Sequence, residues 1–363
     1  MTRIILIGCV RRHLRRGAAS VLAAAWLSAA ASSAWPATAL YGIVDAGLRV
    51  LDSGPAGGNV KLGVKAGHRS QSRWGVRGSE ELGDGMAAVF ALEGGFDLAT
   101  GAPGQGGRLL GRQAYVGFKG RMGTLALGRF ALPGSGTGDF DLFARIDPFS
   151  TGFSNVGIQN VFSIATGARV DHGVLWKSEK MSGLRFSLIH SFHIDDLKFP
   201  PPAARIRMNG LAASYENGPW YGVATFDRFD HPDAGRPAQA NLQMGLTYDA
   251  GLIKWHAAYA REHRQFISGA VGSGHGADAV AGMLGVTLRL AGGHLLLARQ
   301  MRDGKALGSY EADRRVWSLG YESPLSRRTL LYFSLARSSG RKSLDGDPDY
   351  NYRQAAVGLR HLF

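Results

Sequence analysis

The chain is nearly free of cysteine and has no long apolar run beyond its first forty residues. Its single cysteine, Cys9, lies in a segment that we expect to be removed, which leaves no thiol for a disulfide, a metal ligand or a nucleophile. After residue 39 no stretch approaches the roughly 18 uninterrupted apolar residues of a membrane-spanning helix. Disulfide-rich domains and helical membrane proteins are therefore excluded.

Acidic residues are also scarce, with 28 Asp and Glu against 42 Lys and Arg and a formal net charge of +14. The basic residues are scattered, with no basic helix and no recognisable nucleic-acid-binding module, so no nucleic-acid partner is expected. Glycine, by contrast, is abundant. The 52 glycines are about twice the usual share and sit singly among apolar and aromatic residues, a pattern that favours an all-β chain.

The N-terminus has the three parts of a secretory signal peptide. Arg3 and four arginines within residues 11–16 precede an Ala-rich apolar run over residues 18–31, and Ala37-Thr38-Ala39 follows. This order predicts a signal peptide over residues 1–39, cleaved after Ala39. The segment carries five Arg and no acid, so its removal would leave a net charge of +9 on a single domain over residues 40–363.

From Leu40 onward, runs of about ten alternating residues are separated by connections that are short and long in turn. The short connections are rich in turn-forming residues and lie at 83–85, 120–123, 179–183, 217–219, 249–251, 291–293 and 323–325. The long connections lie near 52–67, 99–108, 132–167, 195–204, 230–238, 265–277, 304–313 and 339–351. Counting the runs between them predicts sixteen strands.

Alternation within these runs gives each strand one apolar and one polar face. Leu242, Met244 and Leu246, for example, fall on one face, while Gln243 and Thr247 fall on the other. A soluble sandwich shows the same alternation. The number of strands, the strict order of short and long connections and the aromatics near strand ends favour a transmembrane barrel, which must close so that every backbone polar group is paired in lipid. These aromatics are Trp74, Trp176, Trp220, Tyr221, Trp255, Trp317 and Tyr321.

Two neighbouring strands depart from this alternation. Over residues 111–131 apolar residues occupy both faces, with Val116 and Phe118 beside Tyr115, and Leu127 beside Phe130. A strand covered inside by a folded loop and outside by another subunit should have this pattern. The connection that follows, 132–167, is longer than compact domains usually tolerate without a function, and we expect it to fold into the lumen.

Several motifs in this order resemble the trimeric general porins of the Gram-negative outer membrane, in the form found in β-proteobacteria. They are LYGIVDAGLRV at the start of the mature chain, then SRWGVRGSEELGDGM, FALEGGFDLATG, LLGRQAYVGFKG, GTLALGRF and the final VGLRHLF. The resemblance implies a 16-stranded antiparallel transmembrane β-barrel with an inward-folded third loop, assembled as a homotrimer. It implies passive diffusion of small hydrophilic solutes, and outer-membrane lipids and lipopolysaccharide as surroundings.

The resemblance also implies a constriction with basic residues on the wall facing acids on the loop. The matching wall arginines are Arg73, Arg112 and Arg129. Strand alternation adds Arg77, because Trp74 and Val76 take the opposite face from Arg73. On the loop, the charged candidates are Asp139, Asp141, Arg145 and Asp147, with Phe140, Phe143, Phe149 and Phe153 as anchors.

The loop begins LPGSGTGDF, which is richer in glycine and poorer in acid than the usual loop of that family. Arginines held at a narrow constriction raise the local concentration of anions. We therefore expect a general diffusion porin with anion preference, no cofactor and no metal.

Two alternatives stay open on the sequence. One is a substrate-specific anion or sugar porin. The other is an outer-membrane barrel enzyme that uses polar groups near a barrel mouth as general base and partner, the candidates being His190, His193, Asp195, Asp196, His231 and Asp233. GSGTGD at residues 134–139 does not fit a phosphate-binding loop, because no Gly-Lys-Ser/Thr follows.

Overall fold

β-Strands make up nearly all of the regular structure. The computed structural model describes residues 37–53, 60–150, 155–162, 169–194, 206–231, 236–265, 277–304, 312–342 and 351–363. The expected signal peptide, apart from its last three residues, lies outside them. The strands are β1 (Ala37–Asp52), β2 (Val60–Ala66), β3 (Arg73–Gly83), β4 (Met86–Gly95), β5 (Gln113–Gly120), β6 (Gly123–Ala131), β7 (Arg169–Lys177), β8 (Leu184–Ser191), β9 (Arg207–Asn217), β10 (Trp220–His231), β11 (Arg236–Asp249), β12 (Ile253–Gln265), β13 (Ala277–Leu290), β14 (Gly293–Gly304), β15 (Ala312–Pro324), β16 (Thr329–Lys342) and β17 (Tyr352–Leu362).

The strands close into one antiparallel barrel. From β3 to β17 each strand pairs with the next in sequence, and β17 pairs with β1, where Ile43 lies opposite Leu362. Both β2 and β3 pair with β1, and β2 takes the half from Ala46 to Asp52. They therefore share one position in the wall, and the barrel has 16 strand positions, as the sequence predicts.

Short and long connections alternate along the chain, as expected. The short ones are tight turns, and they lie together at one end of the barrel. In the β3–β4 turn Asp84 and Gly85 have φ values of 52° and 74°. Both lie in the left-handed region that a tight hairpin turn with right-handed strand twist requires. Two short 3-10 turns, Gln105–Gly107 and Ile158–Asn160, lie in the longer connections at the other end.

The outer face of the barrel is apolar and the inner face is small or polar. On β16, Leu331, Phe333 and Leu335 are exposed, whereas Tyr332 and Ser334 between them are buried. An exposed apolar band of this kind fits contact with lipid and not with water. Among the described residues no helix is long and apolar enough to cross a membrane.

The apolar core lies in the lumen, where the long loop after β6 packs against the wall. We call its described residues, 132–150 and 155–162, the inner loop. Phe143, Ile146 and Phe162 of the inner loop pack with Val223 and Met283 of the wall. The fold thus contains the inward third loop predicted from the two-sided apolarity of β5 and β6.

Candidate pore constriction

Wall side chains fix the path of the inner loop by hydrogen-bonding its backbone. These donors come from strands around the barrel, so the loop is held along its length and not only at its ends. The pairs are Gln243 Nε2 to Gly134 O (3.1 Å), His256 Nδ1 to Ile146 O (2.9 Å), Gln300 Nε2 to Val156 O (2.6 Å), Arg302 Nη1 to Val161 O (2.8 Å) and Tyr352 Oη to Asn155 O (2.6 Å).

Three wall glycines form contact points for the inner loop. A Cβ atom built on Gly245 would lie 2.5 Å from Ile146. A Cβ atom on Gly285 would lie 2.8 Å from Pro148, and one on Gly320 would lie 2.8 Å from Phe149. Such distances are well inside van der Waals contact, so only glycine allows the loop to lie this close to the wall.

Two loop acids hold the loop's own backbone. Asp141 accepts hydrogen bonds from the N–H groups of Gly136 and Ala144, both at 2.7 Å. Asp147 accepts from Phe149 N–H at 3.0 Å and Ile158 N–H at 2.6 Å. Burial outweighs these bonds and raises the pKa of Asp141 to about 7 and that of Asp147 to about 6.

The third loop acid, Asp139, ties the loop to β5. Its Oδ2 accepts from Tyr115 Oη at 2.7 Å, and its backbone N–H donates to Gln113 Oε1 at 2.9 Å. The adjacent Phe140 lies with its ring centroid 5.0 Å from that of Tyr115 and 5.5 Å from that of Phe130. Phe140 therefore anchors the loop as the sequence suggests, while Phe153 lies outside the described residues.

A cavity of about 280 Å³ lies between the first half of the inner loop and the wall, and its charged lining is almost entirely basic. Asp141 is the one acid among the residues that line it. The arginines that line it are Arg69, Arg73, Arg112, Arg169 and Arg360, contributed by the β2–β3 connection, β3, the residue just before β5, β7 and β17. Five guanidinium groups and one carboxyl thus lie in the lining of a single cavity.

Glu93 of β4 holds two of these arginines. Its Oε1 accepts from Arg112 Nε at 2.6 Å, and its Oε2 lies 3.5 Å from Arg73 Nε. Arg112 also donates to Thr137 Oγ1 of the inner loop at 3.0 Å. Glu93, a buried acid of the wall, thus positions two of the five arginines.

The other three arginines differ in how far their charge is compensated. Arg69 pairs with Glu322 of β15 at 2.7 Å. Arg169 donates from Nε to the backbone oxygen of Arg112 at 3.0 Å. The buried Nε of Arg360 has no hydrogen-bond partner within the described structure.

Asp45 fixes the β2–β3 connection that presents Arg69. Its carboxylate accepts from Ser70 N–H and from Tyr332 Oη, both at 2.8 Å. Its backbone oxygen accepts from Gly67 N–H at 2.7 Å. Through these bonds the fully buried Asp45 holds the β2–β3 connection, which interrupts the second strand of the wall, against β1 and β16.

The remaining predicted charges lie elsewhere. Arg77 lies 4.9 Å over the ring of Tyr41. Arg129 pairs with Asp171 Oδ1 at 2.5 Å. The loop residue Arg145 pairs with Glu216 at 3.0 Å, and the two line a separate cavity of about 260 Å³. The structure therefore brings together Arg73, Arg112 and Asp141 from the predicted set, and the roles of all these residues stay predictions.

Sequence reasoning did not identify Arg69, Arg169 or Arg360. Arg360 could have been found, because it alternates with Val357 and Leu359, which face outward. Arg169 is the first residue of β7, and Arg69 lies between two strands. Strand alternation therefore does not assign either side chain to the inner or the outer face of the barrel.

Of the residues considered for catalysis, the structure describes only the side chains of His190 and His193, and the ring centroid of His193 lies 5.8 Å from that of His172. His190 Nδ1 lies 2.9 Å from Asn209 Oδ1, which is an ordinary polar pair. Asp195, Asp196, Asp233 and the His231 side chain lie outside the described residues. Within the described structure no group of three or more His, Cys, Asp or Glu residues could hold a metal ion.

Comparison with known proteins gives one consistent result. A sequence model of the family described as Gram-negative porin matches residues 18–343. An outer membrane porin protein of Bordetella pertussis is 30% identical, over 95% of this chain and 99% of its own length. Outer membrane porin protein 32 of Delftia acidovorans is 27% identical, over 87% of this chain and 88% of its own.

Among solved structures, the anion-selective porin from Comamonas acidovorans superposes with a TM-score of 0.71 at 25% identity, over 90% of this chain and all of that one. The match of sequence and of fold over nearly the whole length also excludes the enzyme alternative, because the family consists of channels. The closed barrel with its inward loop and the extent of these matches show that the chain belongs to the Gram-negative porin family of the outer membrane.

Proposed function

We propose that this outer-membrane porin is a general diffusion channel with a preference for small hydrophilic anions. The observation that carries the proposal is the cavity beside the inner loop, lined by five arginines and one acid. Because the pKa of Asp141 is raised to about 7, the one negative charge in the lining of this cavity is only partly present at neutral pH. Fixed positive charge in a narrow aqueous passage concentrates anions and excludes cations.

The loop acids support the same direction of selectivity. Asp139 and Asp147 are engaged by Tyr115 and by the loop backbone, and neither lines the cavity. The family resemblance implies an electric field across the pore, between a basic wall and an acidic loop. The acidic side of that field is therefore weak. The related solved structure is itself described as an anion-selective porin, which agrees with this proposal.

We further propose that the protein assembles as a homotrimer. The outer face of β5 exposes Val116 and Phe118, while its inner face is covered by the inner loop through Tyr115 and Gln113. A second copy covering that outer face would account for apolar residues on both sides of this strand.

The test is the reversal potential of single channels in a salt gradient, measured for the wild type and for the double variant Arg169→Gln/Arg360→Gln. We expect clear anion preference in the wild type and a marked decrease in the variant. Arg121→Gln, in the exposed β5–β6 turn, removes the same charge away from the cavity and is the control. Cation preference of the wild type would refute the proposal.

A further inference from the structure

The inner loop borders a second cavity, which lies toward the end of the barrel with the tight turns. This cavity of about 260 Å³ is lined on the loop side by Asp141, Leu142 and Arg145, and on the wall side by residues of β8, β9, β10 and the β7–β8 turn. We call it the turn-side cavity. Gly138, Asp141 and Ala144 also line the cavity with the five arginines, so the two cavities border the same segment of the loop.

Strand register places polar side chains side by side on the wall of the turn-side cavity. Arg185 of β8 lies opposite Ser214 of β9. Glu216, two residues further along the same face of β9, lies opposite Tyr221 of β10. The β7–β8 turn packs against this part of the wall, because Gly183 O accepts from Glu216 N–H at 3.0 Å. A Cβ atom on Gly183 would lie 2.4 Å from Glu216 O, so this close approach requires glycine.

The cations that line the turn-side cavity outnumber its acids. The cations are Arg145, Lys180 and Arg185, and the acids are Glu216 and Asp141. Glu216 Oε1 lies 3.0 Å from Arg145 Nη2, and Glu216 Oε2 lies 3.0 Å from Lys180 Nζ, so one negative charge is shared by two cations. Asp141 accepts from the loop backbone, and its raised pKa of about 7 leaves it only partly ionised at neutral pH. The lining therefore has a net positive charge.

Arg185 is the cation of this cavity whose charge is least compensated. Among the residues that the structure describes, no carboxylate forms an ion pair with Arg185, and its buried Nε has no hydrogen-bond partner. An uncompensated charge and an unsatisfied buried donor are both costly in a folded protein. A bound anion would supply the negative charge that the wall does not.

Arg145 is held at the opposite side of the cavity by an aromatic ring. Its guanidinium carbon lies 4.2 Å from the centroid of the Tyr221 ring, and Tyr221 Oη donates to Leu142 O of the inner loop. Stacking on this ring and the contact with Glu216 together restrict the orientation of the guanidinium group. Because Arg145 belongs to the loop and Arg185 to the wall, an anion in this cavity can be contacted from both.

We propose that the turn-side cavity is an oxyanion-binding site, in which Arg185, Lys180 and Arg145 hold the carboxylate or phosphate group of a permeating solute. Guanidinium groups bind such groups through paired N–H···O bonds, which the single atom of chloride cannot accept in the same way. The tight turns of outer-membrane barrels face the periplasm, so this site would hold a solute toward the periplasmic end of the lumen. The inference rests on the proposed preference for anions and adds a class of solute to it.

The experiment measures how inorganic phosphate reduces the chloride current of single channels, for the wild type, Arg185→Gln and the control Arg121→Gln. Arg121 lies exposed in the β5–β6 turn at the same end of the barrel, so the control removes the same charge outside the cavity. We expect the half-blocking phosphate concentration to be the same in wild type and control and to rise about tenfold in Arg185→Gln. In the wild type, phosphate should block at a lower concentration from one side of the bilayer than from the other, and Arg185→Gln should remove this difference.

No block of the wild type by phosphate, or equal half-blocking concentrations in all three proteins, would refute the site. A block that persists in Arg185→Gln and is lost in Arg169→Gln/Arg360→Gln would also refute it, because phosphate would then be bound in the cavity with the five arginines. None of these results changes the reversal potential of the wild type, so failure of this site and failure of anion preference are distinguishable. If Arg185→Gln forms no channels, Arg185→Lys replaces it; the lysine keeps the charge without the paired donors, and the half-blocking concentration should then rise about threefold.

Discussion

Arg112 of the wall donates from Nε to Glu93 Oε1 at 2.6 Å, with both side chains almost completely buried. Because Arg112 also donates to Thr137 of the inner loop at 3.0 Å, this pair connects the wall to the loop. Arg112 therefore contributes less free charge to the cavity than its position suggests. Its neighbour Arg73, 3.5 Å from the same carboxylate, is held less closely.

Replacing Glu93 with Gln should strengthen anion preference. The change removes the negative charge shared by Arg73 and Arg112 and leaves their positive charge uncompensated. We expect the anion-to-cation permeability ratio to rise roughly twofold, the effect of one unit charge acting across several ångströms of aqueous solvent. Reversal potentials measure it, and Glu81→Gln, exposed at the far end of β3, is the control. A fall in the ratio would show that Glu93 does not act by offsetting the arginines.

Anion preference should depend on pH through Asp141. Burial raises its pKa to about 7, so lowering the pH from 8 to 6 protonates it and removes the one negative charge among the residues that line the cavity. The other charged groups there are arginines, which stay protonated. We therefore expect the permeability ratio to rise as the pH falls, with a midpoint near 7.

Two variants separate this effect from other titrations. The variant Asp141→Asn should show, at every pH, the high anion-to-cation permeability ratio that the wild type reaches at low pH. Asp147→Asn should keep the dependence, because Asp147 also has a raised pKa, about 6, but does not line the cavity. A wild-type ratio that stays constant between pH 8 and 6 would contradict the assignment.

Phe140→Ala should release the start of the inner loop. The ring is buried against Tyr115 and Phe130, and removal of a buried Phe side chain costs about 3–5 kcal/mol. We expect a larger and noisier single-channel conductance, since the loop would no longer be held against β5 and β6. Phe186→Ala, on the outer face of β8, should leave the conductance unchanged. Equal conductance and noise in both variants would show that this ring does not anchor the loop.

Asp45→Asn should loosen the β2–β3 connection without opening the barrel. The amide keeps one acceptor oxygen, so one of the bonds from Ser70 N–H and Tyr332 Oη is weakened, at a cost of about 1–3 kcal/mol. Hydrogen exchange should become faster at the amide of Ser70 and stay unchanged in β12. Asp84→Asn in the β3–β4 turn is the matched control, and unchanged protection at Ser70 would contradict this role of Asp45.

The barrel could be predicted from the sequence because its signals are local. Because side chains alternate along a strand with a period of two, each residue of β11 or β16 can be assigned to the inner or the outer face of the barrel. Turn-forming residues mark one end of every hairpin. The inward loop was also predictable, because β5 and β6 are apolar on both faces and Tyr115 and Phe130 do contact the loop residue Phe140.

The pairing of charges could not be predicted in the same way. Arg129 is bound by Asp171, 42 residues away, and Arg69 by Glu322, 253 residues away. The pairing of carboxylates with arginines depends on the paths of the loops and on the interruption between β2 and β3. Neither feature follows a periodic pattern in the sequence. Strand alternation can therefore indicate candidate lumen arginines, but not how much of their charge is free.

Gly245→Val should displace the inner loop toward the pore. A Cβ atom at this position would lie 2.5–2.8 Å from three side-chain carbons of Ile146, and a β-branched residue on the loop cannot turn all of them away. We expect a lower conductance and a loss of about 1–3 kcal/mol in stability from overpacking.

Gly222→Val on the adjacent strand is the matched control, because the nearest atom to its Cβ, in Leu246, is 3.8 Å away. The specific contact is tested by adding Ile146→Ala to Gly245→Val. If the glycine is required because the loop lies against it, the double variant should recover most of the lost conductance, and the two changes should be strongly non-additive. Additive effects would show that Gly245 serves the strand itself and not the position of the loop.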